Sequence, residues 1–362
     1  MKNIILSLLF SCVLTSSFTL DIEYSKSFSI QEFKDYKLVK IFNADGTELY
    51  QSFVLAKNIE SVHKDHKTLP FIKIPLKKFA SMSTTHLFQL KQLGETRGLT
   101  GVGFFRYISD KQLVKQLKLK KAKELGMPGQ MNLESTIASK ADVVFSYYVS
   151  SDEGVVDQVK KLGTQTIYIQ EYLESHPLAY AEWIKLFACF FDKEREGNQI
   201  FNHIKSKYLD LKEKISDVGV KPSVLINENY GGTWYVPNKD SFMATLINDA
   251  GGHYIFDYLP GKGSSKLSFE TVVAKGINAD YWINPGQATS LAELQQNDSR
   301  YKLFHAFKNQ CIYNCNKRSL LGLPNTYFDE ALSQPHLLLD ELISIFHHQL
   351  LKTNKKWYHR LK

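Results

Sequence analysis

Apolar and polar residues alternate along "YKLVKIFN" (36–43) and again along "YQSFVLAK" (50–57), with "NADG" between them. A period of two on either side of a Gly-containing turn predicts an antiparallel pair of strands. The pattern then lengthens. In "FIKIPLKKFASMSTTHLFQLKQLG" (71–94) a strand runs into Ser83-Thr84-Thr85, which can cap a helix beginning near His86, and Gly94 closes that helix. "LTGVGFFRYIS" (99–109) reads as another strand and loop, and "VDQVKKLGTQTIYIQEYLE" (156–174) as helix then strand. Strands alternating with helices at this spacing predict parallel sheets covered on both faces.

The rhythm breaks between Pro177 and Ser216, where no strand pattern occurs and apolar residues recur every three or four positions. Asp192 is the expected cap of one long helix ending near Ile215. Alternation resumes at "KPSVLINENYGGTWYVP" (221–237), continues to "NQCIYN" (309–314), and gives way to a closing amphipathic helix, "HLLLDELISIFHHQLL" (336–351). The expected fold is therefore α/β: two doubly wound, Rossmann-like lobes joined by one long helix, with a ligand cleft between them. The divisions are a signal segment over 1–20, an N-terminal lobe over 21–185, the joining helix over 186–216 and a C-terminal lobe over 217–362.

One unit occurs twice. "MNLESTIASKADVVFSYYV" (131–149) and "LSFETVVAKGINADYWINPG" (267–286) each place a carboxylate, Glu134 or Glu270, at the head of a small-residue helix, followed by Ala-Asp and an apolar strand. A carboxylate in a helix's first turn is favoured by the macrodipole without any partner. That explains an acid at each head, but not why both are glutamate.

Composition adds limits. With 43% hydrophobic and 23% charged residues the chain is an ordinary globular one. The net charge of +8 favours an anionic ligand, yet no dense basic block lies beside stacking aromatics, which argues against nucleic acid. "MKNIILSLLFSCVLTSSFTL" has the charged start and short apolar run of an export signal. Leu9-Phe10-Ser11-Cys12 reads as a lipobox that makes Cys12 a lipidated N-terminus, and plain cleavage near Ser17 is the other reading. Cys189, Cys311 and Cys315 do not make a disulfide framework, although Cys311 and Cys315 are close enough for a local bridge. No nucleophile elbow, metalloprotease helix, phosphate loop or dinucleotide fingerprint is present, so neither an enzyme nor a cofactor is expected. The histidines do not group into a metal site.

Several separated motifs in order, "STTH", "NLE…ADVVF", "YLESHPLAYAEWIKLFACFF", "GTWYVPNKDSFMATLINDAGG", "LSFETVVAK…ADYW" and "QPHLLLDELISIFHHQLL", resemble periplasmic substrate-binding proteins of ABC importers for iron complexes and vitamin B12, the type with a single rigid interlobe helix. The resemblance implies capture of a siderophore or haem complex of iron, or alternatively cobalamin, by a monomer outside the cytoplasmic membrane, and delivery to a permease. It also implies that Glu134 and Glu270 dock onto permease arginines, and that the lobes move little on binding. The bound face is expected among the loops after the strands. Trp234 and Tyr235 are the first candidates there, followed by Tyr148 and Tyr327, with Arg106 to neutralise a ligand anion and His86 as a contact. Glu182 and Trp183 fall where the family sometimes places a cleft residue, but Ala181 stands where it often has Arg.

Overall fold

The computed structural model describes residues 20–362, so the lipidation and cleavage expectations for Cys12 and Ser17 lie outside the described residues. The N-terminal lobe has five parallel strands in the spatial order 165–168, 143–146, 79–81, 99–102, 123–124. The strand that comes first in the chain is central, so the order reverses between Phe79–Ser81 and Val143–Ser146. The C-terminal lobe follows 253–254, 223–226, 281–283, 312–314, 359–360, parallel except for the last strand. Its reversal lies between Ser223–Ile226 and Tyr281–Ile283. In open α/β sheets a ligand crevice forms outside the carboxyl ends of the strands at such reversals.

Helices α1 (Thr84–Gln92), α2 (Lys111–Leu119), α3 (Leu133–Ser139) and α4 (Glu153–Lys161) serve the first lobe. Two helices follow, α5 (Pro177–Cys189) and α6 (Glu194–Lys214). Then come α7 (Phe242–Asp249), α8 (Phe269–Gly276), α9 (Leu291–Asn297), α10 (His305–Lys308), α11 (Lys317–Leu320) and α12 (Pro335–Phe346). Ser83 caps α1 as expected, its hydroxyl accepting from Thr85 N–H at 3.3 Å, but the helix begins at Thr84, so His86 is inside it. The duplicated unit is also as expected. Asn132 caps α3 and Ser268 caps α8, and each helix leads into a central parallel strand.

The long helix expected from Asp192 to near Ile215 is α6, while residues 186–189 of the expected joining segment belong to α5. The chain turns at Phe190–Lys193, and Asp192 adopts a left-handed φ of 56° instead of an N-cap conformation, pairing with Lys57 at 3.2 Å. Helix α5 is buried along all thirteen residues, the mark of a helix surrounded by protein. Helix α6 packs along it. Gly197 permits the close approach, because a Cβ there would lie 2.5 Å from that of Ala188. At its start Glu194 pairs with Lys37 at 2.6 Å; near its end Lys212 reaches Asp249 of α7 at 2.7 Å. A 21-residue helix is about 32 Å long, and these two contacts show that it runs from one lobe to the other.

Residues 28–73 form a sheet of their own, in the order 28–32, 36–42, 49–56, 71–73. The expected hairpin is its centre. Its Gln51 side chain imitates a neighbouring strand, donating to Thr166 O at 2.7 Å and accepting from Tyr168 N–H at 3.2 Å, which covers the open edge of the first lobe.

One buried histidine makes the helical layer sensitive to pH. His336 of α12 faces His203 of α6 across 5.9 Å, and its Nδ1 has no hydrogen-bond partner. Burial, together with the nearby His203 and Lys207, pushes its pKa down from 6.5 to about 4. A base with a lowered pKa binds fewer protons folded than unfolded, so stability falls as pH drops through the window from 6.5 to about 4. His336→Gln is expected to flatten this loss by about 2 kcal/mol at the acid end. Urea unfolding of both proteins at several pH values checks it.

Candidate functional site

Both reversal points carry polar loop residues. In the C-terminal lobe, Asn227 follows Ile226 and Asn284 follows Ile283, each at the end of its strand and each at positive φ, 63° and 55°. Asparagine is among the few non-glycine residues that adopt this conformation readily. It turns the chain away immediately and leaves a short amide side chain at the crevice. In the N-terminal lobe, the reversal is occupied from across the seam. Thr84 Oγ1 donates to Asp329 Oδ1 at 2.5 Å, and Ser109 Oγ donates to its Oδ2 at 3.4 Å. Burial holds the Asp329 carboxyl above its ordinary pKa. Beside it, Thr85 Oγ1 donates to Glu171 Oε1 at 2.5 Å.

Between the lobes lies a cavity of about 380 Å³. Tyr172, Glu174 and Tyr180 come from the first lobe and α5. Asn227, Asn284, Asn316 and Asn325 come from the second, with Phe242, Met243, Tyr327 and Phe328 as apolar wall. It opens into a wider mouth that also meets Tyr235, Ala44 and Lys262. The Lys262 ammonium closes part of this mouth by reaching the first sheet's turn, at 2.7 Å from Asp45 Oδ1 and 2.8 Å from Ala44 O. Tyr180 and Asn284 both line this cavity, with the Tyr180 hydroxyl and Asn284 Oδ1 themselves buried.

The expected binding residues divide. Tyr327 and Tyr235 border the cavity and its mouth. Trp234 does not. It is fully buried, packed on Trp282, Tyr301 and Phe304, with its indole N–H donating to Ile226 O at 2.8 Å. Neighbours on a strand point to opposite faces, so Trp234 and Tyr235, both on Thr233–Pro237, never shared one wall. Trp234→Ala is expected to cost about 3–5 kcal/mol of stability, while Trp234→Phe leaves ligand affinity unchanged; calorimetric melting and titration check the pair.

His86 is sealed inside α1. Its Nε2 lies 3.3 Å from Glu171 Oε2 and its ring sits between Tyr147 and Phe187, so it is a core residue and not a contact. Arg106 stacks on Phe104 and Tyr107 at the surface, and Tyr148 packs on Tyr50 and Tyr168 with its hydroxyl donating to Glu153 at 2.7 Å. Neither is among the residues that line the cavity or its mouth. Glu182 and Trp183 are also core: Glu182 accepts from the backbone N–H groups of Glu23, Tyr24 and Ser25, and Trp183 donates to Glu174. Cys311 and Cys315 are both free thiols, and burial pushes Cys315 up to about 12. Among the described residues no group of three or more His, Cys, Asp and Glu is arranged for a metal ion.

Glu134 and Glu270 are both exposed, Glu270 with 79% of its side chain in solvent and Arg300 Nη1 4.0 Å away. Its own backbone N–H and the Ser268 hydroxyl hold the carboxylate below the ordinary range. A helix that feeds a parallel strand runs opposite to it, so its first turn sits at the strands' carboxyl end. Both glutamates thus lie at the cleft-facing end of their own sheets.

Residues 80–319, more than half of the chain, match the family described as periplasmic binding protein. The chain belongs to this family. Its members bind small molecules and work with ABC permeases. The sheet over 28–73 precedes the matched region. An uncharacterized lipoprotein of Methanocaldococcus jannaschii is 27% identical over 295 residues, covering 78% of this chain and 68% of that one. The high-affinity heme uptake system protein IsdE of Staphylococcus aureus is 24% identical over 228 residues, covering 60% of this chain and 74% of that protein. A periplasmic heme binding protein from Pseudomonas aeruginosa superposes with a TM-score of 0.61 at 15% identity, over 79% of this chain and 98% of that chain, which shows the shared two-lobe fold. No helix among the described residues is long and apolar enough to cross a membrane.

Proposed function

We propose that this protein is the ligand-capturing component of an ABC importer for a metal chelate, an iron–siderophore complex or haem, which it carries to a permease without bond chemistry. The interlobe cavity carries the reading, since an aromatic-walled space of about 380 Å³ suits a bulky, partly apolar ligand. Tyr235 and Tyr327 are its binding residues from the original set, now joined by Tyr172 and Tyr180. The heme uptake relative supports the iron side of the choice. Cobalamin is the alternative cargo.

In this reading Glu134 and Glu270 dock the two lobes on permease arginines, and the paired contacts fix orientation. The protein acts as an exported monomer, anchored through Cys12, in keeping with the lipoprotein relative. The functional division runs 21–185, 186–216 and 217–362, with α5 and α6 together as the joining element. Isothermal titration against ferric siderophores, haemin, cyanocobalamin and bare metal ions tests the cargo. Tight binding of one chelate class is expected. Binding of bare zinc alone, or turnover of any ligand, overturns the proposal.

A further inference from the structure

The net charge of +8 points to an anionic cargo, and the cavity wall does not carry that charge. Among the described residues that line it, none is Arg, Lys or His. The one formally charged lining residue is Glu174, whose Oε1 accepts hydrogen bonds from Ser25 Oγ and, at 2.9 Å, from Trp183 Nε1. Both of these bonds fall on Oε1. Burial raises the pKa of this carboxyl. Whether ionised or protonated, it offers an anion no counter-charge.

The surroundings reinforce the wall. Asp329 and Glu171 take the threonine hydroxyls at the start of α1, so carboxylates already occupy the end of a helix that otherwise welcomes anions. Lys262, the cation at the mouth, is matched by Asp45. Arg106 lies away from the cavity, stacked on Phe104 and Tyr107. What remains are the carboxamides of Asn227, Asn284, Asn316 and Asn325 and the hydroxyls of tyrosines, groups that pair with neutral donors and acceptors.

We infer that the cleft selects a chelate of neutral or positive net charge with amide-like polar groups, and discriminates against polyanionic chelates, with Glu174 as the specificity-determining residue. The inference rests on the metal-chelate reading and narrows it. A desolvated anion would face a carboxyl while the mouth's one lysine is already paired, and its charge would go uncompensated, whereas a neutral ligand keeps its hydrogen bonds without that penalty.

The test is a titration set of three ferric siderophores, a trianionic tris-catecholate, a neutral tris-hydroxamate and a cationic tris-hydroxamate bearing a free amine, with haemin and cyanocobalamin alongside. The neutral and cationic chelates are expected to bind at least about tenfold more tightly than the tris-catecholate and haemin at low salt. Glu174→Gln is expected to narrow the gap by weakening the cationic chelate and strengthening the anionic ones. Melting of the variant confirms that it is folded, and Tyr148→Phe, outside the cavity and its mouth, serves as a control that leaves the charge preference intact. Tightest binding of the tris-catecholate or haemin overturns the charge inference while the chelate reading stands. Failure of every chelate to bind folded protein overturns both.

Discussion

Replacing Glu134 and Glu270 together by alanine is expected to lower uptake by cells by roughly two orders of magnitude, with the isolated protein's ligand affinity within about twofold of the original. The reasoning is geometric. Each carboxylate stands in the first turn of its helix, α3 or α8, at the end of its sheet that faces the cleft. Each is exposed, so its removal leaves no buried group unpaired within the protein. A merely local role, through the helix dipole, predicts a small stability change and unaltered uptake. Single variants should fall between, because one docked lobe still gives partial register. Transport assays alongside titration separate the two readings. Unchanged uptake by the double variant would remove the docking role while leaving the cleft untouched.

A loss of stability as large as that of Trp234→Ala is expected at Glu182. Its carboxylate is fully buried on α5, accepts from three successive backbone N–H groups, those of Glu23, Tyr24 and Ser25, and pairs with Lys185 at 2.8 Å. Lys185 is itself only 1% exposed and donates to Asp21 O at 2.6 Å. Glu182→Ala strands a buried ammonium and three amides together, for a loss of about 3–5 kcal/mol. Replacing both by apolar residues, Glu182→Leu with Lys185→Met, should recover only part of this, since the amides stay unpaired. Urea midpoints at constant slope measure the difference. The far end of the chain has the same device: Glu341 of α12 accepts from the backbone N–H groups of Lys356, Trp357 and Tyr358. Residues 23–25 and 356–358 are therefore each tied to a buried helix by one carboxylate.

These ties show what a linear reading misses. The duplicated helix–strand unit was legible because its signals are local: Asn132 and Ser268 as caps, small residues, then a strand. The hairpin of residues 36–56 was legible for the same reason. The start of α6 beside Asp192 was legible too, although Asp192 takes the left-handed turn and Lys193 is the residue before the helix. Glu182 looked like a cleft residue because its partners lie 157–159 positions away. Trp234 illustrates a signal present but unused, since strand alternation allows either Trp234 or Tyr235 at the cleft and buries the other. The repeated Ile-Asn at 226–227 and 283–284 is another, a strand end followed by a residue tolerant of left-handed backbone. Tyr172, Glu174 and Tyr180 were beyond reach. Only the packing of α5 between the lobes brings them to the cavity.

All four tryptophans, Trp183, Trp234, Trp282 and Trp357, are fully enclosed. Intrinsic fluorescence of this protein therefore begins blue-shifted and shielded from aqueous quenchers, and docking of cargo does not bring any indole out of or into water. Three of them still touch the cavity's lining: Trp183 N–H is held by Glu174, Trp234 N–H by Ile226 O and Trp282 N–H by Asn227 O. An emission change on titration with a colourless ligand thus reports on these hydrogen bonds, and a Trp183→Phe protein should lose the part that passes through Glu174.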